Sequence, residues 1–229
     1  MSKKNTAATI ATIVVAVLAI ATTLFLLYQT SQQQIQDNQY NYVPSDEVNE
    51  EMNMNAVTLI KNNCEVFRIY LQYGLPHQAE PYNNVPEDGY YTVKSDNYKT
   101  ISDVEALVNS TFVEKEAKRI LTNINGDNVA VYAEETDDDG NKGIGLDVSM
   151  VDENGRFKAI AYDYTWSNAK FTLHPKSNTE CDIIVELNPA EETSSAENAS
   201  SGSDDSNKKK VTANMLKVNG EWRLQKLVY

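Results

Sequence analysis

Three regimes of apolar and polar residues follow one another along this chain. Residues 7–28 (AATIATIVVAVLAIATTLFLLY) carry no charge, and about 20 apolar helical residues are enough to cross a bilayer core. From residue 45 the apolar positions recur at helical spacing: Val48, Met52, Ala56, Leu59/Ile60, Cys64, Phe67 and Tyr70/Leu71. That spacing predicts a long helix with one buried stripe, Cys64 lying on it. Ser45 is a suitable N-cap, Asp46 and Glu47 suit the positive end of the helix dipole, and Gly74 with Pro76 supplies the stop. Ser102-x-x-Glu105 and Thr111-x-x-Glu114 read as capping boxes, placing one short helix up to Ser110 and another up to Thr122. Val104, Leu107 and Val108, then Ala117, Ile120 and Leu121, give this pair one buried side.

Beyond Asn125 the period changes to two. Strands are expected at 128–135, 144–151, 156–165, 169–174, 180–187, 210–218 and 221–228, with Asn154-Gly155 and Asn219-Gly220 as type I′ hairpin pairs. In 180–187 Cys181, Ile183, Val185 and Leu187 share one face, while Asp182 and Glu186 share the other. Helices followed by mostly antiparallel strands define the α+β class. The expected architecture is an N-terminal transmembrane helix, then a long helix and a short helix pair packed on a curved, mainly antiparallel β-sheet.

The 229 residues then divide into a cytoplasmic tail 1–6, an anchor 7–28, a polar Gln/Asn-rich linker 29–45 and an extracytoplasmic domain 46–229. Lys3 and Lys4 precede the anchor and the next Lys or Arg is Lys61, so the positive-inside rule leaves the N-terminus in the cytoplasm. A cleaved signal peptide with Ala19-Ile20-Ala21 as its site is the competing reading. The apolar run continues through Leu24, Phe25, Leu26 and Leu27, which favours retention. Segment 189–209 (PAEETSSAENASSGSDDSNKK) has almost nothing apolar to bury and is expected to be a disordered acidic, Ser-rich insert within a hairpin.

Charge narrows the partners. Twenty Lys+Arg face 33 Asp+Glu, a net charge of −13, so the chain lacks the cations that neutralise nucleic-acid phosphates. The acidity serves solubility or a basic protein partner. Chemistry-bearing motifs are few. Thr136-Asp137-Asp138-Asp139-Gly140-Asn141 resembles the start of a calcium loop, but the twelfth position is Leu146 where a bidentate Glu belongs, so a hairpin loop is expected. His77 and His174 are far apart, Gly143-Ile144-Gly145 lacks a nucleotide-binding setting, and no hydrolase signature is present. No catalytic residue, metal ligand or cofactor is therefore assigned. Two features remain. Cys64 and Cys181 each point to the core from a helix stripe and a sheet face, so they form either one disulfide or two buried thiols. Thirteen Tyr stand against five Phe, with Tyr70, Tyr73, Tyr82, Tyr90, Tyr91 and Tyr98 gathered around the Pro-rich stretch 75–99. Tyr is favoured at interfaces, so Tyr82, Tyr90 and Tyr91 are interface candidates, the alternative being that they pack helix against sheet.

The run Gly89-Tyr90-Tyr91-Thr92-Val93-Lys94-Ser95, then Tyr98 to Glu105, then Thr111 to Ala117, resembles secreted Gram-positive proteins of the IseA type. These inhibit cell-wall DL-endopeptidases. The ending Asn219-Gly220-Glu221-Trp222-Arg223-Leu224 is similar to theirs and also to the last strands of NTF2-like domains. The resemblance covers roughly 48–229 without the insert, and its motifs are structural patterns, not catalytic signatures. It implies a non-catalytic domain that docks on a basic NlpC/P60-type peptidoglycan hydrolase, helped by charge complementarity. The alternative it leaves open is an NTF2-like or cystatin-like domain that binds a small ligand or another envelope protein.

Overall fold

The computed structural model describes residues 42–77, 86, 89–136, 140–190 and 208–229. The apolar run 7–28, Tyr82, the acidic residues 137–139 and most of the insert lie outside them.

Ser45 caps helix α1 (Asp46–Phe67), its hydroxyl accepting from the Val48 amide at 3.4 Å. The buried stripe holds Met52, Ala56, Leu59 and Ile60, and also the polar Asn63. The α-helix was expected to run to Gly74; instead it widens at Arg68 into a π-helical turn, Arg68–Gln72. Gly74 then adopts φ +69°, and a Cβ there would lie 2.5 Å from the Phe157 ring, so both backbone sign and space require glycine.

Helices α2 (Ile101–Thr111) and α3 (Glu114–Asn123) are both present, with starts that differ from expectation. The capping box uses Thr100 with Asp103, not Ser102 with Glu105. The Asp103 carboxylate accepts from the amides of both Lys99 and Thr100 at 2.8 Å. Thr111 is the last residue of α2 and its hydroxyl donates back to the Leu107 carbonyl at 2.7 Å, so it is not available to cap α3.

The strands form two antiparallel sheets where one was expected. The smaller comprises β1 (Tyr90–Thr92), β2 (Tyr132–Thr136) and β3 (Lys142–Asp147), ordered β1-β3-β2. The larger is a meander of β4 (Tyr164–Ser177), β5 (Glu180–Pro189), β6 (Lys209–Val218) and β7 (Glu221–Leu224). Pro189 and Lys209, assigned from sequence to the insert, thus belong to paired strands. Between the sheets the expected strand 156–165 is irregular up to Tyr164. Its amides serve separate carbonyls: Lys158 donates to Met150 and Ile160 to Leu71 in the π turn. The Asp152 carboxylate gathers the amides of Asn154 and Arg156, giving a wider turn than the type I′ pair expected there. Asn219 and Gly220 do both have positive φ, as that turn requires.

The inner face of the larger sheet is filled. Cys181, Ile183, Val185, Leu187, Ala213, Met215 and Leu224 have no exposed surface and share one core cluster with Met52 and Ala56 of α1. Polar side chains hold the segment after β7. The Asn63 amide donates to the Val228 carbonyl at 2.8 Å and accepts from the Val228 amide at 3.0 Å. Glu116 accepts from the Leu227 amide at 2.9 Å while also holding Arg119. At the other end of α1, Glu51 accepts from Lys217 at 2.6 Å and from the Trp222 indole at 3.0 Å. Residues Pro44–Tyr229 form one compact unit. Among the described residues no helix is long and apolar enough to cross a membrane.

Candidate functional site: a tyrosine-lined cleft at a strand bulge

Strand β4 is an edge strand, and its pairing with β5 slips between Thr165 and Lys170. Inside this bulge Asn168 has φ +57°, a left-handed conformation that costs a non-glycine residue free energy. Side chains hold the bulge in shape: the Ser167 amide donates to the Thr165 hydroxyl at 3.1 Å, and the Asn188 amide donates to the Ser167 carbonyl at 3.2 Å. Strained, buttressed bulges of this sort re-aim side chains next to binding sites.

The bulge forms one wall of a cleft of about 640 Å³. Tyr162 and Tyr164 form another, and Gln72 with Tyr73 from the end of the π turn a third. Tyr73 is 64% exposed, unusual for so large a ring. Tyr162 is fixed by ring contacts, its centroid 4.9 Å from Phe67, 6.1 Å from Tyr164 and 6.3 Å from Tyr229. The Lys209 ammonium stands 5.2 Å from both the Tyr162 and Tyr164 centroids, a cation–π arrangement. The Tyr162 hydroxyl is buried and meets no hydrogen-bond partner. Burial, with Cys64 and Tyr164 close by, pushes it up to about 12. Among the described residues all the lining side chains are uncharged: aromatic, hydroxyl, amide or small apolar.

A second hollow of about 540 Å³ lies over α1 and includes Cys64, Glu65, Arg68 and Tyr98. Lys61 also lines it, while Glu65 and Arg68 are matched to each other. Arg68 grips Glu65 through two hydrogen bonds of 2.8 Å, and the Tyr98 hydroxyl donates to Glu65 at 3.1 Å. The Arg68 bonds hold the Glu65 carboxyl below its ordinary range. This cluster is built to join α1 to the loop before α2, and its guanidinium is already taken.

The residues singled out in the sequence fall elsewhere. Cys64 and Cys181 are free thiols, which corrects the disulfide reading. Cys181 pairs in register with Met215, two residues from Lys217, whose amine reaches Glu51 near the start of α1. Burial pushes the Cys64 thiol up to about 12 and the Cys181 thiol up to about 11. Tyr90 and Tyr91 are half-buried on β1: Tyr90 lies over Gly145, and Tyr91 pairs with Leu146 beside the His77 ring. Neither lines the cleft, and Tyr82 lies outside the described residues. Of the six tyrosines around the Pro-rich stretch, Tyr73 alone among the described ones reaches the cleft, while Tyr70 is core. The missed residues are Tyr162 and Tyr164. Their i, i+2 spacing put them on one face, a visible signal hidden by assigning the whole segment to a strand packed in the sheet. Among the described residues no group of three His, Cys, Asp or Glu could hold a metal ion.

No protein-family model matches the chain, and no curated protein matches it significantly.

Proposed function

We propose that this chain is a membrane-anchored, extracytoplasmic binding protein that works through the tyrosine-lined cleft, without catalysis of its own, and restrains a cell-wall DL-endopeptidase of the NlpC/P60 type. The observation that carries the binding part is the cleft. It is preformed, held by a buttressed bulge, lined by rigid rings and by groups that donate and accept hydrogen bonds, and offers an exposed Tyr73 as anchor. Such groups make contacts, and among the described residues the lining holds no His, Cys, Asp, Glu or Lys. The resemblance over 48–229 supplies the cell-wall setting, and the net charge of −13 suits a basic enzyme as partner. The alternative, an NTF2-like ligand binder, would put its ligand on the inner face of the sheet. That face is packed with side chains here, so this reading too leads back to the rim cleft.

The test is digestion of purified cell wall by an endopeptidase of that type, with the full chain added in detergent micelles. Digestion should slow in proportion to added protein, and the Tyr73→Ala variant should release the enzyme. Unchanged digestion at saturating protein would remove the endopeptidase from the proposal.

A further inference from the structure

We infer that the cleft's ligand is an uncharged saccharide, the glycan portion of the wall being the one at hand. This rests on reading the cleft as the binding site and adds the chemical class of what it holds.

Three features select the class. First, among the described residues the lining bears no charged side chain although the chain has 33 acids and 20 bases. Lys209 is stacked on the Tyr162 and Tyr164 rings and donates to the Tyr229 carbonyl at 3.4 Å, so its ammonium is already engaged. Among the described residues a charged ligand would find no lining group of opposite charge and one cation already held by two rings and a carbonyl, so a neutral ligand is favoured. Second, Thr165, Ser167, Asn168 and Asn188 each carry a side chain that both donates and accepts. Sugar hydroxyls also do both, so each contact can be satisfied in either direction. Third, Tyr73 and Tyr164 offer aromatic surface, whose electron-rich faces match the slightly positive C–H faces of a pyranose ring. About 640 Å³ is room for a short oligosaccharide, within the usual range for ligand sites.

A neutral peptide is the competing ligand, and β4 argues against it. An extended peptide binds a sheet by adding to an edge strand's free row of N–H and C=O groups. The bulge at 165–170, with Asn168 left-handed, breaks that row where the cleft opens.

The experiment is calorimetric titration of the full chain in detergent micelles with chitotetraose, cellotetraose and, as the competitor, a neutral alanine-rich tetrapeptide. Saturable binding of at least one tetrasaccharide is expected, unchanged when salt rises tenfold because no charge is neutralised. Tyr73→Ala and Tyr164→Ala should each weaken it about tenfold, and Asn188→Ala should weaken it as well. Tyr73 is exposed, so its variant keeps the wild-type melting temperature and serves as the arm in which folding is not at issue. Binding of the peptide alone, saccharide binding indifferent to Tyr73→Ala, or no saccharide binding up to about 10 mM would overturn the inference. If saccharides fail but Tyr73 is still needed to slow the endopeptidase, the cleft grips the enzyme, and the proposed function stands without this inference. If saccharides bind but digestion is untouched, the inference stands and the endopeptidase role falls.

Discussion

Asn63 shows what a single polar residue in an apolar stripe can do. It is fully buried, and its side chain meets both polar backbone groups of Val228, as a neighbouring strand would. Asn63→Ala would remove both hydrogen bonds and leave two partly buried backbone groups of Val228 without these partners. An unsatisfied buried group costs about 1–3 kcal/mol, so a total loss of about 3 kcal/mol is expected, read as a fall in the urea midpoint. A loss under about 1 kcal/mol would mean that water replaces the amide and that the clamp is weak. Tyr162 is the contrasting residue, a buried hydroxyl that meets nothing. Groups of that kind are rare in native interiors, and here it belongs to a ring that lines a hollow together with Tyr73 and Tyr164.

At the level of elements, the helix starts separate two kinds of capping signal. Thr100→Ala should cost about 1 kcal/mol, whereas Ser102→Ala should stay within about 0.5 kcal/mol, compared by thermal unfolding. The opposite ranking would restore the box expected at Ser102. The sequence favoured Ser102 because Glu is the commoner box partner, but Asp103 reaches two amides at once from its position. The long helix was legible since its stripe, cap and stop agree, and only its last turn escaped: nothing in Arg68–Gln72 announces a π turn. Strands β5 and β6 were legible from their alternation and the start of β7 from the Asn219-Gly220 turn, although β7 ends at Leu224 and not at 228. Segment 156–165 was not, because its alternating Phe157, Ala159 and Ala161 imitate a strand while tertiary partners claim its amides one by one. The site suffered from the same misreading. Tyr162 and Tyr164 fell within the strand expected at 156–165, and a strand bulge leaves little trace in composition, so the cleft emerged only from the fold.

For the molecule as a whole, ionisable groups bound the range of stability from both sides. The Glu51, Glu65 and Glu116 carboxyls are held low. Lys217 does this for Glu51 and Arg68 for Glu65; at Glu116 burial pushes up, but the Arg119 and Leu227 bonds outweigh it. Their folded values lie below the unfolded value of about 4.3, so the unfolded chain binds more protons in acid. The stability they give is complete above that value and is lost as pH falls through the folded ones. The thiols act in the opposite sense. Cys64 and Cys181 keep their protons to about 12 and about 11, while unfolded thiols ionise near 8.5, so their contribution fades as pH rises beyond that. A plateau between about pH 5 and 8 is expected in urea midpoints measured across pH, its acid flank flattened by Glu116→Gln. A midpoint that keeps rising toward pH 3 would contradict it. The clamp on Val228 also imposes an order in time. Its two partners are 165 positions apart, so α1 cannot finish folding until Val228, 165 residues further on, has arrived. Long-range closure of this kind slows folding, and in the interval the apolar stripe of α1 stands uncovered, the stage at which a chaperone would find it.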